Sequence, residues 1–269
     1  MSTARTHQEE ILNGERFSFG ENWSRFLSVL NEDRIKEAET SLKSMLEVNS
    51  LEGKTFLDIG SGSGLFSLAA RRLGAKVYSF DFDPQSVACT QELKRRYFKD
   101  DSAWTVESGS ILDKDFISTL GKFDIVYSWG VLHHTGAMWV ALENAESLAS
   151  DRGSIFIAIY NFQPIFTKYW TFVKKTFNKF KITRPIFMTI HTLYPIVPSL
   201  IINTIKNRKI PRGMNIWYDL KDWLGGYPFE TAKPEEILDL YRKKGYQLNK
   251  LITVGGRMGC NEFVFRKTN

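Results

Sequence analysis

The sequence predicts an α/β chain built on a doubly wound, mostly parallel sheet of seven strands with helices on both faces. Three observations predict it. From residue 54 onward, short apolar runs alternate with turns and helix-period stretches, the pattern of repeated βαβ units. The chain then finishes on one helix and two further strands. Its 269 residues, 43% hydrophobic and 25% charged, suit one elaborated globular domain and exclude a disordered tail protein.

The elements follow in order. Residues 1–50 carry apolar positions at helical spacing (Phe26, Leu27, Leu30, then Ile35, Ala38, Leu42, Met45, Leu46), which predict a helical N-terminal layer. The aromatic residues Phe17, Phe19, Trp23 and Phe26 open it and read as core. Thr55–Ile59, Lys76–Phe80, Trp104–Val106, Phe123–Ser128 and Ser154–Tyr160 read as buried parallel strands. Leu65–Leu73, Pro84–Phe98, Asp115–Leu120 and Met138–Ala149 read as the helices between them. Asp83 before Pro84 is an N-cap followed by a proline at the first helical position. Lys233–Tyr246 is a further helix, and Gln247–Val254 and Asn261–Phe265 form a hairpin expected to close the sheet with an antiparallel edge strand.

Residues 161–218 break this rhythm. They hold ten Lys or Arg and no Asp or Glu, so the chain's net charge of +6 sits wholly in this insertion and the remainder is acidic. The expected division is a helical layer (1–50), a ligand-binding core (51–160), an inserted basic and aromatic helical lid with the acceptor segment (161–232), and a C-terminal helix and hairpin completing the core (233–269). Aromatics at helical spacing in the insertion (Phe162, Phe166, Tyr169, Trp170, Phe177, Phe180) read as packing, which argues against nucleic acid. The uncharged run Pro185–Ile205 is long enough for a membrane span. Three prolines and several polar groups argue instead for a lid, or for an element lying on an anionic membrane surface. Cys89 and Cys260 are far apart and give no disulfide framework or metal-ligand spacing, and the polar first 19 residues lack a secretory apolar segment. A cytoplasmic setting is therefore expected.

The chemistry concentrates at Phe56-Leu57-Asp58-Ile59-Gly60-Ser61-Gly62-Ser63-Gly64, where a strand ends in an acid and turns through alternate glycines into a helix. Glycine permits positive φ and close backbone approach to a ligand. Asp81 ends the next strand, 21 positions after Gly60, suited to binding ribose hydroxyls. A dinucleotide fingerprint would need glycine at position 65, where Leu65 stands, which argues against a nicotinamide-dependent oxidoreductase. S-adenosylmethionine has the ribose without the pyrophosphate, and Asp58 suits its ammonium group.

These runs, with VYSFD at the second strand, SGSIL after the third and FDIVYSWGVLHH at the fourth, resemble the Rossmann-like class I S-adenosylmethionine-dependent methyltransferases. Within them, LDIGSGSG, GVLHH and the helix-plus-hairpin ending are most similar to the group containing the ubiquinone-biosynthesis O-methyltransferases. The resemblance implies that Asp58, Gly60, Ser61 and Gly62 line the methionine and ribose part of the cofactor and that Asp81 binds the ribose. It implies that Phe82, Ser110 and Ile111 surround the adenine, with Ser110 standing where many relatives have Asp, and that Trp129 and Gly130 border the sulfur. His134 is the candidate base for a hydroxyl acceptor, with His133 beside it; the alternative for each is a core histidine. Trp217, Tyr218, Asp219, Asp222, Trp223 and Tyr227 lie in a stretch dense in rings, acids and glycines, read either as an acceptor pocket or as a packed loop. The acceptor expected is a small hydroxylated molecule, a quinone-like phenol or a lipid-linked or sugar hydroxyl; the alternative is a protein or RNA held by the basic insertion.

Overall fold

The computed structural model describes residues 7–192 and 216–268. The chain forms two compact units, one of Met1–Ser18 with Ile165–Phe229 and one of Phe19–Pro164 with Glu230–Asn269. The divisions thus fall at 18/19, 164/165 and 229/230.

The larger unit is the sheet. Its strands are β1 (Thr55–Ile59), β2 (Lys76–Asp81), β3 (Trp104–Ser108), β4 (Phe123–Trp129), β5 (Ala149–Tyr160), β6 (Tyr246–Ile252) and β7 (Cys260–Lys267), in the order β3-β2-β1-β4-β5-β7-β6. The first five are parallel, while β7 runs antiparallel to both β5 and β6. The antiparallel strand is therefore one place in from the edge, and β6 takes the edge itself. The reason is burial: Phe263, Val264 and Phe265 of β7 are almost wholly enclosed, whereas Leu251 and Ile252 of β6 are exposed.

Helices α2 (Gly20–Ser28), α3 (Glu32–Leu46), α4 (Leu65–Arg72) and α5 (Pro84–Tyr97) cover one face, burying Ile35, Leu42, Leu68 and Leu93 against Phe56, Tyr127, Phe156 and Val264. The other face carries α6 (Lys114–Ser118), α7 (Met138–Ser147) and α11 (Pro234–Lys243), packed on Leu57, Val126, Ile155, Ile157 and Phe263. Alternate strand residues go to opposite faces, as the pleat requires. In α3 the predicted stripe of Ile35, Ala38, Leu42, Met45 and Leu46 is the buried face. Asn31 caps it by accepting the Arg34 N–H at 3.1 Å.

A buried polar chain ties this layer together below the glycine turn. Trp104 Nε1 donates to Ser79 Oγ at 2.9 Å, Ser79 and Ser67 hydroxyls lie 2.7 Å apart, and Ser67 donates to Asp58 Oδ2. Burial pushes the Asp58 carboxyl up to about 7, with the Ser67 hydrogen bond opposing the shift and the charge of Asp81 adding to it.

The smaller unit holds α1 (His7–Leu12), α8 (Pro164–Lys179), α9 (Arg184–His191) and α10 (Ile216–Gly225), so the insertion is helical where it is described. One face of α8 buries Trp170, Val173, Lys174, Phe177 and Asn178. The wholly buried Lys174 ammonium donates to Trp223 O and sits 4.3 Å from the Trp223 ring centre and 4.9 Å from that of Phe229. The expectation that the spaced aromatics all pack is corrected here. Trp170 and Phe177 do, but Phe166, Tyr169 and Phe180 are about half exposed. Helix α8 is apolar on two faces, and a single helix layer can cover only one.

Two outcomes are expected. Phe156→Ala, at a site of no exposure, should cost ~3–5 kcal/mol in urea denaturation. A carboxyl whose folded value lies near 7 binds more protons folded than unfolded between about pH 4 and pH 7. Its presence therefore lowers stability as pH rises through that window, by up to about 1.4 kcal/mol per unit. Asp58→Asn, a neutral isostere, should flatten that fall in unfolding curves taken across the window.

Candidate active site

Beta strands β1 and β4 are neighbours, with β2 and β3 on one side and β5 on the other, so the order reverses between them. In open sheets the ligand crevice lies outside the carboxyl ends of the strands at this point. The glycine turn occupies it. Gly60, Gly62 and Gly64 have φ of 75°, 55° and 80°, a region that side chains disfavour. Space forbids a side chain as well: a Cβ on Gly60 would stand 2.4 Å from Val131 Cγ1, just past β4.

Two acids frame the turn. Asp81 accepts the Gly62 N–H on one oxygen and the Asp83 N–H on the other, each at 2.9 Å. Burial pushes its carboxyl up to about 6, against the lowering effect of those N–H groups. Asp58 lies beneath the turn, buried, with Ser67 as its partner. The Thr90 hydroxyl donates to Gly62 O at 3.3 Å and lies 2.9 Å from Ser61 Oγ, clamping the buried Ser61 to α5. Asp83 caps α5 by accepting the Gln85 N–H at 2.9 Å, as the Asp-Pro pair predicts. It also accepts the Gly20 N–H at 2.8 Å, fastening α2 to the same helix end.

The other predicted cofactor residues gather at the neighbouring strand ends. Phe82 follows Asp81 and is half-buried. Ser110 turns its hydroxyl inward to accept the Leu112 N–H at 3.1 Å, and Ile111 is buried with its carbonyl accepting Asn144 Nδ2 at 2.8 Å. Trp129 packs partly buried against the core layer on the α2–α5 face of the sheet, while Gly130 has φ of 75° and would project a Cβ into open space.

Past β4, Leu132–His134 form one tight turn. His133 is wholly buried; its Nδ1 accepts the Tyr160 N–H at 3.4 Å and its ring centre lies 4.0 Å from that of Tyr160. His134 keeps part of its surface, with its ring centre 5.3 Å from Phe19 and 5.5 Å from Tyr160. Glu230 holds this turn in place. Its backbone N–H donates to His133 O at 2.9 Å, and its carboxylate accepts the Met138 N–H at the start of α7, where Ala137 offers no side-chain cap. Burial raises the Glu230 carboxyl above its ordinary value.

Phe19, Trp23, Tyr160 and Glu230 join the candidate site although the sequence assigns none of them a site role. A Cβ on Gly62 would approach Trp23 Cε2 to 2.9 Å, so Trp23 lies over the glycine turn. The aromatic cluster had flagged Phe19 and Trp23 only as core. Trp223 and Tyr227 belong to the smaller unit, where Trp223 packs edge-on to Trp170 at 5.2 Å and Tyr227 O accepts the Phe17 N–H at 3.0 Å. Trp217, Tyr218, Asp219 and Asp222 fall within α10, and their side chains lie outside the described residues.

Residues 57–155 match the family model described as a methyltransferase domain. The chain is 44% identical over 84 residues to the ribosomal protein L11 methyltransferase of Prochlorococcus marinus, covering 31% of this chain and 24% of that protein. It is 30% identical over 114 residues to that of Anoxybacillus flavithermus, covering 37% of this chain and 36% of that protein. The chain therefore spans well under half the length of these curated relatives. Its fold is similar to that of magnesium protoporphyrin IX methyltransferase from Synechocystis PCC 6803 with bound SAH, at a TM-score of 0.59 and 15% identity over 97% of this chain and 100% of that one. An O-methyltransferase family protein from Burkholderia thailandensis is similar at 0.57 and 12% identity, over 97% and 67%. The glycine turn at the switch point, the acid closing β2 and the seven-strand order with β7 inserted give this chain the fold of these solved methyltransferases, and its residues 57–155 match the methyltransferase domain.

Proposed function

We propose that the chain transfers a methyl group from S-adenosylmethionine to a hydroxyl of a small acceptor. The observation that carries this is Asp81 at the end of β2. Its carboxylate accepts the Gly62, Asp83 and Phe82 N–H groups, and of the roughly four acceptor positions of a carboxylate this leaves one for a ribose hydroxyl. The open space beyond Gly130, at the end of β4, suits the reacting end of such a ligand. Asp58 provides negative charge below the turn, and an ammonium group nearby would favour its ionised form. When bound, the cofactor supplies a methyl group on a cationic sulfur.

The residues of the chain do the rest. The glycine turn and Asp81 orient the nucleotide end. His134 takes the proton from the acceptor hydroxyl, and Phe19 and Tyr160 hold its ring in place. His133, buried behind it and fixed by Glu230, keeps that turn from shifting. Most of the rate comes from alignment of acceptor and methyl group. The protein-modifying relatives match only part of this chain, so their acceptor is not carried over.

Calorimetry with S-adenosylmethionine should give binding, and NAD none. Asp81→Ala should weaken that binding by ~1–3 kcal/mol. Affinity should also fall as pH drops through about 6, where Asp81 takes up its proton. His134→Ala should lower turnover by ~10²–10⁴ while leaving cofactor affinity intact. The acceptor itself is identified by a methyl-transfer screen over phenols, sugars, peptides and RNA with product masses read. NAD binding without a response to S-adenosylmethionine would sink the proposal.

A further inference from the structure

We infer that the outer face of α8 and α9 docks on an anionic lipid bilayer. The inference stands apart from the methyl-transfer reading, because it rests only on the smaller unit. Along α8, Ile165, Tyr169 and Phe172 recur at helical spacing on the side opposite the buried face, with Phe166 alongside. They are 80%, 45%, 65% and, for Phe166, 54% exposed. The same character continues into Phe180, Ile182, Ile186 and Ile190, all at least half exposed. Such a run of large apolar side chains in water is the mark of an interaction surface.

Charge says which partner. Lys168, Lys175 and Lys179 are exposed and lie seven and then four residues apart, a stripe along one flank of the apolar row. Lys181 continues it, and no acidic residue occurs between 161 and 218. An apolar face bordered by lysines on a helix is the arrangement that lies in a membrane interface, with rings and aliphatic groups below the headgroups and ammonium groups among the phosphates. RNA would draw on the same cations but needs stacking platforms, and half of this surface is isoleucine, which offers hydrocarbon and no stacking.

The two helices act as one element. His191 Nδ1 donates to Phe187 O at 2.8 Å, so its Nε2 accepts the Tyr169 hydroxyl at 2.9 Å, joining α9 to α8. Arg184 Nε donates to Phe177 O at 3.0 Å at the other end. Among the described residues no helix is long and apolar enough to cross a membrane.

The test is flotation of the full chain with vesicles of phosphatidylcholine alone and of equal parts phosphatidylcholine and phosphatidylglycerol, at low and high salt. Binding is expected to the phosphatidylglycerol vesicles and to weaken with salt. Replacing Lys168, Lys175 and Lys179 together by Ala should reduce that partition by about a hundredfold, at roughly fivefold per lysine. Ile165→Ser with Phe172→Ser should reduce it further while the thermal unfolding curve stays close to that of the parent, since both side chains are exposed. Equal partition into both vesicle types, or none into either, overturns the inference. So does displacement of the chain from phosphatidylglycerol vesicles by a short RNA with tighter binding to the RNA. A dimer in light scattering that Phe172→Ser dissociates would overturn it too, because a second copy would then cover this face.

Discussion

The Asp81 carboxylate joins two strand-to-helix turns, and the candidate site depends on that junction. One oxygen holds the Gly62 N–H after β1 and the other holds the Asp83 N–H after β2. Asp83 in turn caps α5 and holds the first N–H of α2. The shape of the glycine turn, the start of α5 and the position of Trp23 over Gly62 thus follow from one chain of backbone N–H groups ending on carboxylates. Such bonds are stronger than neutral ones, and they place negative charge where helix N-termini favour it.

The same region is costly to build. Asp58 is buried and Asp81 half-buried near it, and desolvation raises both carboxyls well above their ordinary range. The protein offsets this with hydrogen bonds, through the polar chain of Ser67, Ser79 and Trp104 on one acid and through backbone N–H groups on the other. Burial of this kind favours the protonated form of both acids, and a cation or a hydrogen-bond donor beside them favours the ionised form. His133 shows another use of a polar side chain. It is wholly enclosed and braces the turn that presents His134.

The smaller unit follows a different rule, because its segment up to residue 218 brings cations and no acid, the Arg16–Glu10 pair lying outside that segment. Lys174 is buried among aromatic rings and bonded to a carbonyl, while its neighbours Lys168, Lys175 and Lys179 stay at the surface. The helix that carries them is apolar on two sides. One side is absorbed by Trp170, Val173 and Phe177 in the unit's own core, and the other remains outside it.

Local pattern alone determined the sheet, its five parallel strands and their helices, because burial on both faces writes apolar runs and turns write glycine, Asp-Pro and cap residues. Thr55–Ile59 and the starts of most later elements of the larger unit were legible to within a residue or two, whereas β5 starts at Ala149, five residues before the expected Ser154. The glycine turn and Asp81 were legible for the same reason, since each works through its own strand end. What only the tertiary structure decided involves partners far apart in the chain. That β7 lies inside β6, that Glu230 caps α7 across 92 residues, and that Asp83 anchors Gly20 across 63 depend on which segments meet, and no local period records this. Likewise an aromatic at helical spacing reads the same whether it is covered or not. Phe166 and Phe177 share the pattern, and only the number of layers available to cover α8 separates the exposed ring from the buried one.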